Sequence, residues 1–279
     1  AGVNPVETYI RAGAYARKPR LPYTPGSDGA GVVAAVGSAV STVRPGERVF
    51  LSGSITGTYA EVTLCTPEQV HPLPEVASFA QGSALGVPYA TAYRALFHRG
   101  EVRSGETVLV HGASGGVGTA AVELARSMQI RVFGTGGSPE GRQAVRELGA
   151  DQVFDHKDSG YRQAILDATG GRGVDCILEM LANVNLGEDL RLLAPHGRVI
   201  VIGSRGRVEI DPRDAMMRDA DIRGMILPNA SAPDLEAIYK ALGEHVADGR
   251  ISPVVGRSFP LASAAEAHRR LCRPRHPAR

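Results

Sequence analysis

Apolar and polar positions follow two different rhythms along this chain. Through residue 82 the apolar stretches are short and broken by Pro and Gly clusters such as LPYTPGSDG, which predicts β segments at 29–37, 48–53 and 59–65. From about residue 83 the runs lengthen and alternate between strand and helix periods. Strands are expected at 106–112, 131–136, 152–156, 174–181, 198–204 and 221–227. Helices are expected at 116–128 and near 140–148, 160–168 and 185–193, with a last one near 233–248. The later strands are apolar throughout, as in a parallel sheet covered by helices on both faces. The fold class is therefore α/β: a doubly wound Rossmann sheet beside a smaller β-rich domain. The expected division is 1–82 for the β-rich domain, 83–228 for the doubly wound one and 229–268 for a segment returning to the first. Residues 269–279, RRLCRPRHPAR, have no period and read as a basic frayed tail.

The segment VLVHGASGGVGTAAVELARS (108–127) carries the chemistry, and it admits two readings. G-A-S-G-G matches G-x-S-x-G, with Ser114 as an esterase nucleophile. Alternatively Ala113, Gly115 and Gly118 occupy the offsets of G-x-G-x-x-G, with alanine in the first place. Gly115 then lets the backbone approach a pyrophosphate, and Gly118 lets the new helix pack tightly on the strand. An esterase turn has no use for Gly118, so the dinucleotide reading is preferred. The helix start supplies free N–H groups and partial positive charge to phosphates. No G-K-[ST] follows, which excludes an NTP-type loop.

The end of the second strand of that domain selects the cofactor. NAD enzymes place Asp or Glu there for the ribose 2′-hydroxyl. Here the segment is GTGGSPEGR, and the first carboxylate, Glu140, already belongs to the next helix. A carboxylate ~4 Å from a 2′-phosphate costs about 4 kcal/mol at an effective dielectric of ~20; its absence permits NADPH. Gly137 and Ser138 leave room for the phosphate, and Arg142 or His156 could neutralise it.

Composition excludes other classes. With 279 residues, 43% apolar and 22% charged, the chain can bury a real core, and a net charge of +2 argues for no nucleic-acid partner. No apolar run approaches the ~20 residues needed to span a bilayer, and no signal segment opens the chain. Three separated cysteines, Cys65, Cys176 and Cys272, suggest neither a disulfide framework nor a zinc knuckle, so a reduced cytoplasmic protein is expected.

Together, AGVNPVETYIRAGAY, PYTPGSDGAGVV, HGASGGVGTA, EMLANVNL and GRVIVIGSRG closely resemble the zeta-crystallin-like quinone oxidoreductases. These are zinc-free members of the medium-chain dehydrogenase/reductase superfamily. The similarity runs from Ala1 to about His268. It implies a GroES-like catalytic domain, NADPH as cofactor, and transfer of a hydride or electrons to quinones. It places Asn4, Tyr9 and Tyr15 at the substrate, Tyr9 also touching the cofactor. Further cofactor contacts are implied at Ser114, Gly115, Gly116, Val117, Gly137, His156 and Asn185, at Ile202, Gly203, Ser204 and Arg205, and at Met225, Ile226 and Leu227. In the zinc alcohol dehydrogenases, which this chain also resembles, Cys stands in place of Asn4 and G-H-E in place of Gly26, Ser27 and Asp28. An amide and a hydroxyl remove two of the three protein ligands that a catalytic zinc needs, so no metal is expected. A quinone, already electrophilic, needs only polarisation of its oxygen by an amide or phenol. Glu179 and Asp175 are expected to be structural or rim residues rather than acid–base groups.

The resemblance also leaves family segments unmatched: strands before Ala1 and a strand and helix after AEAH. It implies a fragment, a variant isoform or an altered gene end, with exposed sheet edges in the catalytic domain. Two alternatives stand beside quinone reduction. One is reduction of an enone or enal double bond. The other is a non-catalytic role as a lens crystallin or a binder of AU-rich RNA, as some zeta-crystallin relatives have. A homodimer or homotetramer is implied by the resemblance alone.

Overall fold

The computed structural model describes residues 1–16 and 18–272, and the chain divides into two units. One comprises Ala1–Pro88 and the chain from Leu235; the other is Tyr89–Asp234. Both divisions fall six residues beyond the expected 82/83 and 228/229.

In the first unit, Asn4 caps α1 (Pro5–Arg11) from an extended backbone (φ −109°, ψ 147°), with Pro5 at the first helical position. Proline is tolerated there because that N–H has no intrahelical partner. The strands β1 (Asp28–Val32), β2 (Arg48–Ser52) and β3 (Val70–Pro72) form an antiparallel sheet in that order, pairing Ala30 with Phe50 and Phe50 with His71. Phe50 is fully buried, and Tyr239 of α9 (Ala232–Ala247) stacks on His71 with ring centroids 4.5 Å apart. Gly82 of α2 (Phe79–Ala84) lies against β1; a Cβ there would sit 2.8 Å from the Ala30 methyl.

The strand expected at 59–65 does not form. The sequence alternates, but Val62 and Leu64 are 76% and 59% exposed. A single backbone rung joins Ile55 N–H to the Leu64 carbonyl, and the Thr56 hydroxyl takes the Leu64 N–H. Alternation without a partner strand to cover its apolar face does not sustain a ladder. The frayed tail is corrected too, since α10 (Ala264–Cys272) extends through residues 269–272. The rest of that segment, 273–279, lies outside the described residues.

The second unit is a six-stranded, all-parallel sheet in the order β6-β5-β4-β7-β8-β9. The strands are β4 (Thr107–Val110), β5 (Arg131–Gly136), β6 (Gln152–Asp155), β7 (Val174–Glu179), β8 (Leu193–Val201) and β9 (Asp221–Gly224). A short α3 (Ala90–Tyr93) precedes them, and α4 (Gly116–Ser127), α5 (Pro139–Glu147), α6 (Tyr161–Ala168), α7 (Ala182–Leu192) and α8 (Pro212–Met216) connect them. Leu109, Phe133, Ile177 and Val199, one from each central strand, pack with Ile165 of α6 and Leu190 of α7. Towards the amino ends of the strands, away from the glycine loop, Arg198 is bonded to both Glu106 carboxylate oxygens at 2.7 Å and to the Asp175 carbonyl. Asp175 accepts from the Thr107 N–H and from Arg172, and these donors hold its carboxyl below the usual carboxylate range against the cost of burial. Among the described residues, no helix is long and apolar enough to cross a membrane.

Candidate active site

Because all six strands are parallel, their carboxyl ends share one rim, and the turns leaving them carry the candidate cofactor residues. The chain leaves β4 through Gly112 (φ +60°), and Gly115 opens α4 with no side chain capping the first turn. The first N–H groups of a 12-residue helix are thus left for an external acceptor. A Cβ on Gly118 would lie 2.4 Å from the Gly112 carbonyl oxygen, so helix and strand meet there backbone to backbone. Gly203, leaving β8, is equally tight: a Cβ would lie 2.4 Å from the Met180 carbonyl oxygen. These are the close approaches that a pyrophosphate cradle requires. The nucleophile reading of Ser114 does not survive: its hydroxyl lies towards Gly141, while the nearby His111 imidazole is engaged by Thr135 and Asp189.

At the end of β5, Ser138 caps α5, its hydroxyl accepting the Gly141 N–H at 3.1 Å. Gly137 faces the end of β6: a Cβ there would lie 2.9 Å from His156 Nε2 and 3.3 Å from Lys157 Cε. Burial holds His156 below its ordinary value, so it offers hydrogen bonds near neutral pH rather than charge. Arg142 sits differently from expectation. Its guanidinium pairs with Asp155 at 2.7 Å, which cancels the charge it was expected to bring to a phosphate. Lys157, missed in the sequence, also brings its side chain close to Gly137; the signal was a basic residue just past a strand end.

The remaining turns are organised by Glu179 at the end of β7. Its backbone carbonyl accepts from the Ile202 and Gly203 N–H groups, and its carboxylate accepts from the Leu181 N–H and from Asn185 Nδ2 at 3.2 Å. The Arg205 N–H donates to Asn183, and Ser204 Oγ bonds the Gly206 carbonyl. Beyond β9, Met225 is buried and pairs with Val201, whereas Ile226 is exposed and its carbonyl accepts from Arg94. Ser114, Gly115, Gly116, Val117 and Gly118 therefore share a rim with Gly137, Ser138, His156, Asn185, Ile202, Gly203, Ser204, Arg205, Met225, Ile226 and Leu227.

Asn4, Tyr9 and Tyr15 belong to the first unit. Tyr9 is exposed and Tyr15 half-buried. Asn4 departs from its expected substrate-polarising role. It is only 5% exposed, and its Nδ2 donates to Asp28 Oδ2 at 2.7 Å. Burial outweighs that bond and pushes the Asp28 carboxyl up to about 7. Sequence reasoning also missed Glu7, although N-P-V-E is a recognisable capping box. Its carboxylate accepts from the Asn4 N–H (2.9 Å), the Ser27 N–H (3.1 Å) and the Tyr59 hydroxyl (2.6 Å). Asn4, Glu7, Asp28 and Tyr59 thus form one hydrogen-bonded cluster of amide, carboxyl and phenol groups, with Asn4 donating to Asp28 and Tyr59 to Glu7. An open cavity of about 800 Å³ in this unit is lined by Glu7, Ile10, Arg20, Tyr23 and Ile55 among others, and by none of Asn4, Tyr9 and Tyr15.

A β-rich unit followed by a six-stranded dinucleotide sheet with an uncapped glycine turn defines the architecture of a nicotinamide-dependent dehydrogenase or reductase. A family model described as alcohol dehydrogenase GroES-like domain matches residues 1–75, and one described as zinc-binding dehydrogenase matches 116–243. Quinone oxidoreductase from Rattus norvegicus is 50% identical over 267 residues, covering 96% of this chain and 81% of that protein. The Homo sapiens protein of the same name is 50% identical over 270 residues, covering 97% and 82%. The crystal structure of Escherichia coli quinone oxidoreductase complexed with NADPH matches with a TM-score of 0.84 at 27% identity, covering 97% of this chain and 85% of that one. The chain belongs to the quinone oxidoreductase family of zinc-free medium-chain dehydrogenases/reductases.

Proposed function

We propose that this chain is an NADPH-dependent quinone oxidoreductase that works without zinc. The observation that carries the reading is the end of β5, where Gly136, Gly137 and Ser138 present no acid and Lys157 stands beside Gly137. NADPH, when bound, supplies the reducing equivalents, as a hydride or as electrons. The protein's part is placement. The start of α4 and the Gly118 and Gly203 contacts receive the pyrophosphate, while Ser138, His156 and Lys157 receive the 2′-phosphate. Tyr9 and Tyr15 are the phenols that remain to orient a quinone, given that the Asn4 amide is bonded to Asp28. The non-catalytic and RNA-binding alternatives have no feature on this rim to support them.

Two measurements test this. Purified protein should oxidise NADPH with 9,10-phenanthrenequinone faster than with an α,β-unsaturated aldehyde, and should bind NADPH more tightly than NADH. Equal affinity for the two cofactors, or a preference for the aldehyde, would overturn the reading. Lys157→Ala should weaken NADPH by roughly ten- to a hundredfold, since a hydrogen bond to a charged group contributes about 1.5–3 kcal/mol, and should leave NADH nearly unchanged. Assembly as a homodimer or homotetramer belongs to the same proposal. The open edge at β9, with exposed Ile222 and Ile226, supports it, and sedimentation would check it. A cytoplasmic location is proposed on the free thiols of Cys65 and Cys176.

A further inference from the structure

Under the cofactor rim, three ionisable side chains are buried together: His111 just after β4, Glu179 at the end of β7 and Asp189 on α7. One nitrogen or oxygen from each lies within 4.8 Å of the others. Their hydrogen bonds run in one direction when His111 carries its proton on Nε2. The Gly112 N–H donates to Thr135 Oγ1 (3.2 Å), and the Thr135 hydroxyl then donates to His111 Nδ1 (3.2 Å). His111 Nε2–H then donates to Asp189 Oδ1 (2.9 Å). This chain requires a neutral imidazole, and burial holds His111 below its ordinary value. At the far end, Glu179 Oε1 accepts from the Leu181 N–H and Asn185 Nδ2.

One atom is left over. Asp189 Oδ2 is buried and has no donor, and two ionised carboxylates here would stand in a dry site with no cation touching them. Of the charged groups on the surrounding elements, Arg162 of α6 is itself paired with Glu188 of α7 at 3.5 Å, and His156 after β6 is uncharged near neutral pH. A proton on Glu179, donated to Asp189 Oδ2, satisfies the orphan and removes one of the two charges. The same three groups could be read as metal ligands. However, a 2.9 Å separation between His111 Nε2 and Asp189 Oδ1 is a hydrogen bond, shorter than the ~3.3 Å edge of a tetrahedron with ~2.05 Å bonds.

We propose that Glu179 and Asp189 share one buried proton, and that this proton keeps Asn185 and the Gly112 turn in the geometry that takes the cofactor. Glu179, Asp189 and His111 are thus positioning residues. The inference rests on the cofactor assignment for this rim. Burial pushes both acids up to about 7; Asp189 pushes Glu179 further up, whereas its bond to Glu179 pulls Asp189 down, so the shared proton is lost as pH rises through neutrality. Repulsion then drives Glu179 off its bonds to Leu181 and Asn185. Below that range the site is intact.

The test is the pH profile of the NADPH dissociation constant for the full chain and for two variants. The wild-type constant should rise roughly tenfold as pH climbs from slightly acid to alkaline, a coupling of ordinary size. In Glu179→Gln the amide mimics the protonated acid, donating to Asp189 and accepting from Leu181 and Asn185. It should bind like wild type at acid pH and lose the alkaline rise. The cofactor's own phosphate titration is common to both proteins and cancels in their ratio. Glu179→Ala, which removes the anchor, should bind at every pH about as weakly as the wild type does at alkaline pH, roughly tenfold below the wild type at acid pH. An alkaline rise that persists in Glu179→Gln, a Glu179→Gln protein that fails to fold, or wild-type affinity in Glu179→Ala at acid pH overturns the proposal. A second readout needs no cofactor. The wild-type minus Glu179→Gln infrared difference spectrum should contain a protonated-carboxyl band that titrates near neutrality, the Asp28 carboxyl being common to both proteins and cancelling. Absence of that band overturns the shared proton, whereas failure to bind NADPH with the band present counts against the cofactor assignment alone.

Discussion

Ser138→Asp should reverse the cofactor preference, weakening NADPH by about two to three orders of magnitude while leaving NADH binding intact or improved. The substitution suits the backbone. Ser138 holds an extended cap conformation (φ −125°, ψ 149°) and accepts the Gly141 N–H, and Asp caps a helix as well as Ser does. Its carboxylate also lies at the positive end of α5, so the fold should not suffer. What changes is the charge at the end of β5, where Gly136 and Gly137 leave the rim neutral. Two like charges ~4 Å apart repel by about 4 kcal/mol at an effective dielectric of ~20, and salt at an open rim trims this somewhat. NADH has only a hydroxyl at that position, which a carboxylate can accept from. Fluorescence titration with both cofactors reads the ratio directly. A change in NADPH affinity below tenfold would mean that the 2′-phosphate is held elsewhere.

The doubly wound unit was legible in the sequence because its central strands are buried on both faces. Their runs are mostly apolar: β4 and β7 are buried along their whole length, and β5 spans residues 131–136 as expected. The glycine turn was legible for a related reason, since Gly118 sits where any side chain would strike backbone. The β-rich unit was harder to read. Its signals are short, and at 59–65 alternation was present without the partner strand that turns alternation into a sheet. The helix α1 was hidden by its length, seven residues set by a cap and a proline rather than by an apolar stripe.

Which polar groups bind one another was the least legible feature. Arg142 was expected to meet a phosphate, but Asp155, thirteen positions on, claims it. Asn4 was expected to face a substrate, but Asp28 claims its amide. Glu179 was expected to be a structural or rim residue, and it is the acceptor on which the β7 and β8 turns converge. Pairings of this kind depend on where distant segments meet, and neither periodicity nor composition encodes that.

Gly118→Ala makes the second large prediction and isolates the backbone contact from everything else at the rim. A Cβ there would stand 2.4 Å from the Gly112 carbonyl oxygen and 2.6 Å from the Ala113 Cα, both main-chain atoms with no rotamer to escape through. Gly112 cannot easily yield, because its φ of +60° already places it where only glycine is relaxed, and the Ala113 N–H is held by the Thr135 carbonyl at 2.9 Å. Helix α4 must therefore lift away from β4. Overpacking of this severity costs about 3 kcal/mol, which lowers the melting temperature of a unit this size by about 6–12 °C. The same displacement moves the first N–H groups of α4 off the pyrophosphate, so NADPH affinity should fall about a hundredfold. Gly187→Ala is the control. It lies within α7, its Cβ would meet nothing closer than 3.7 Å, and alanine in a helix interior should stabilise by up to about 1 kcal/mol. If Gly118→Ala melted and bound NADPH as Gly187→Ala does, α4 would not be seated on the β4 turn as described, and its N-terminus would lose its claim to the cofactor.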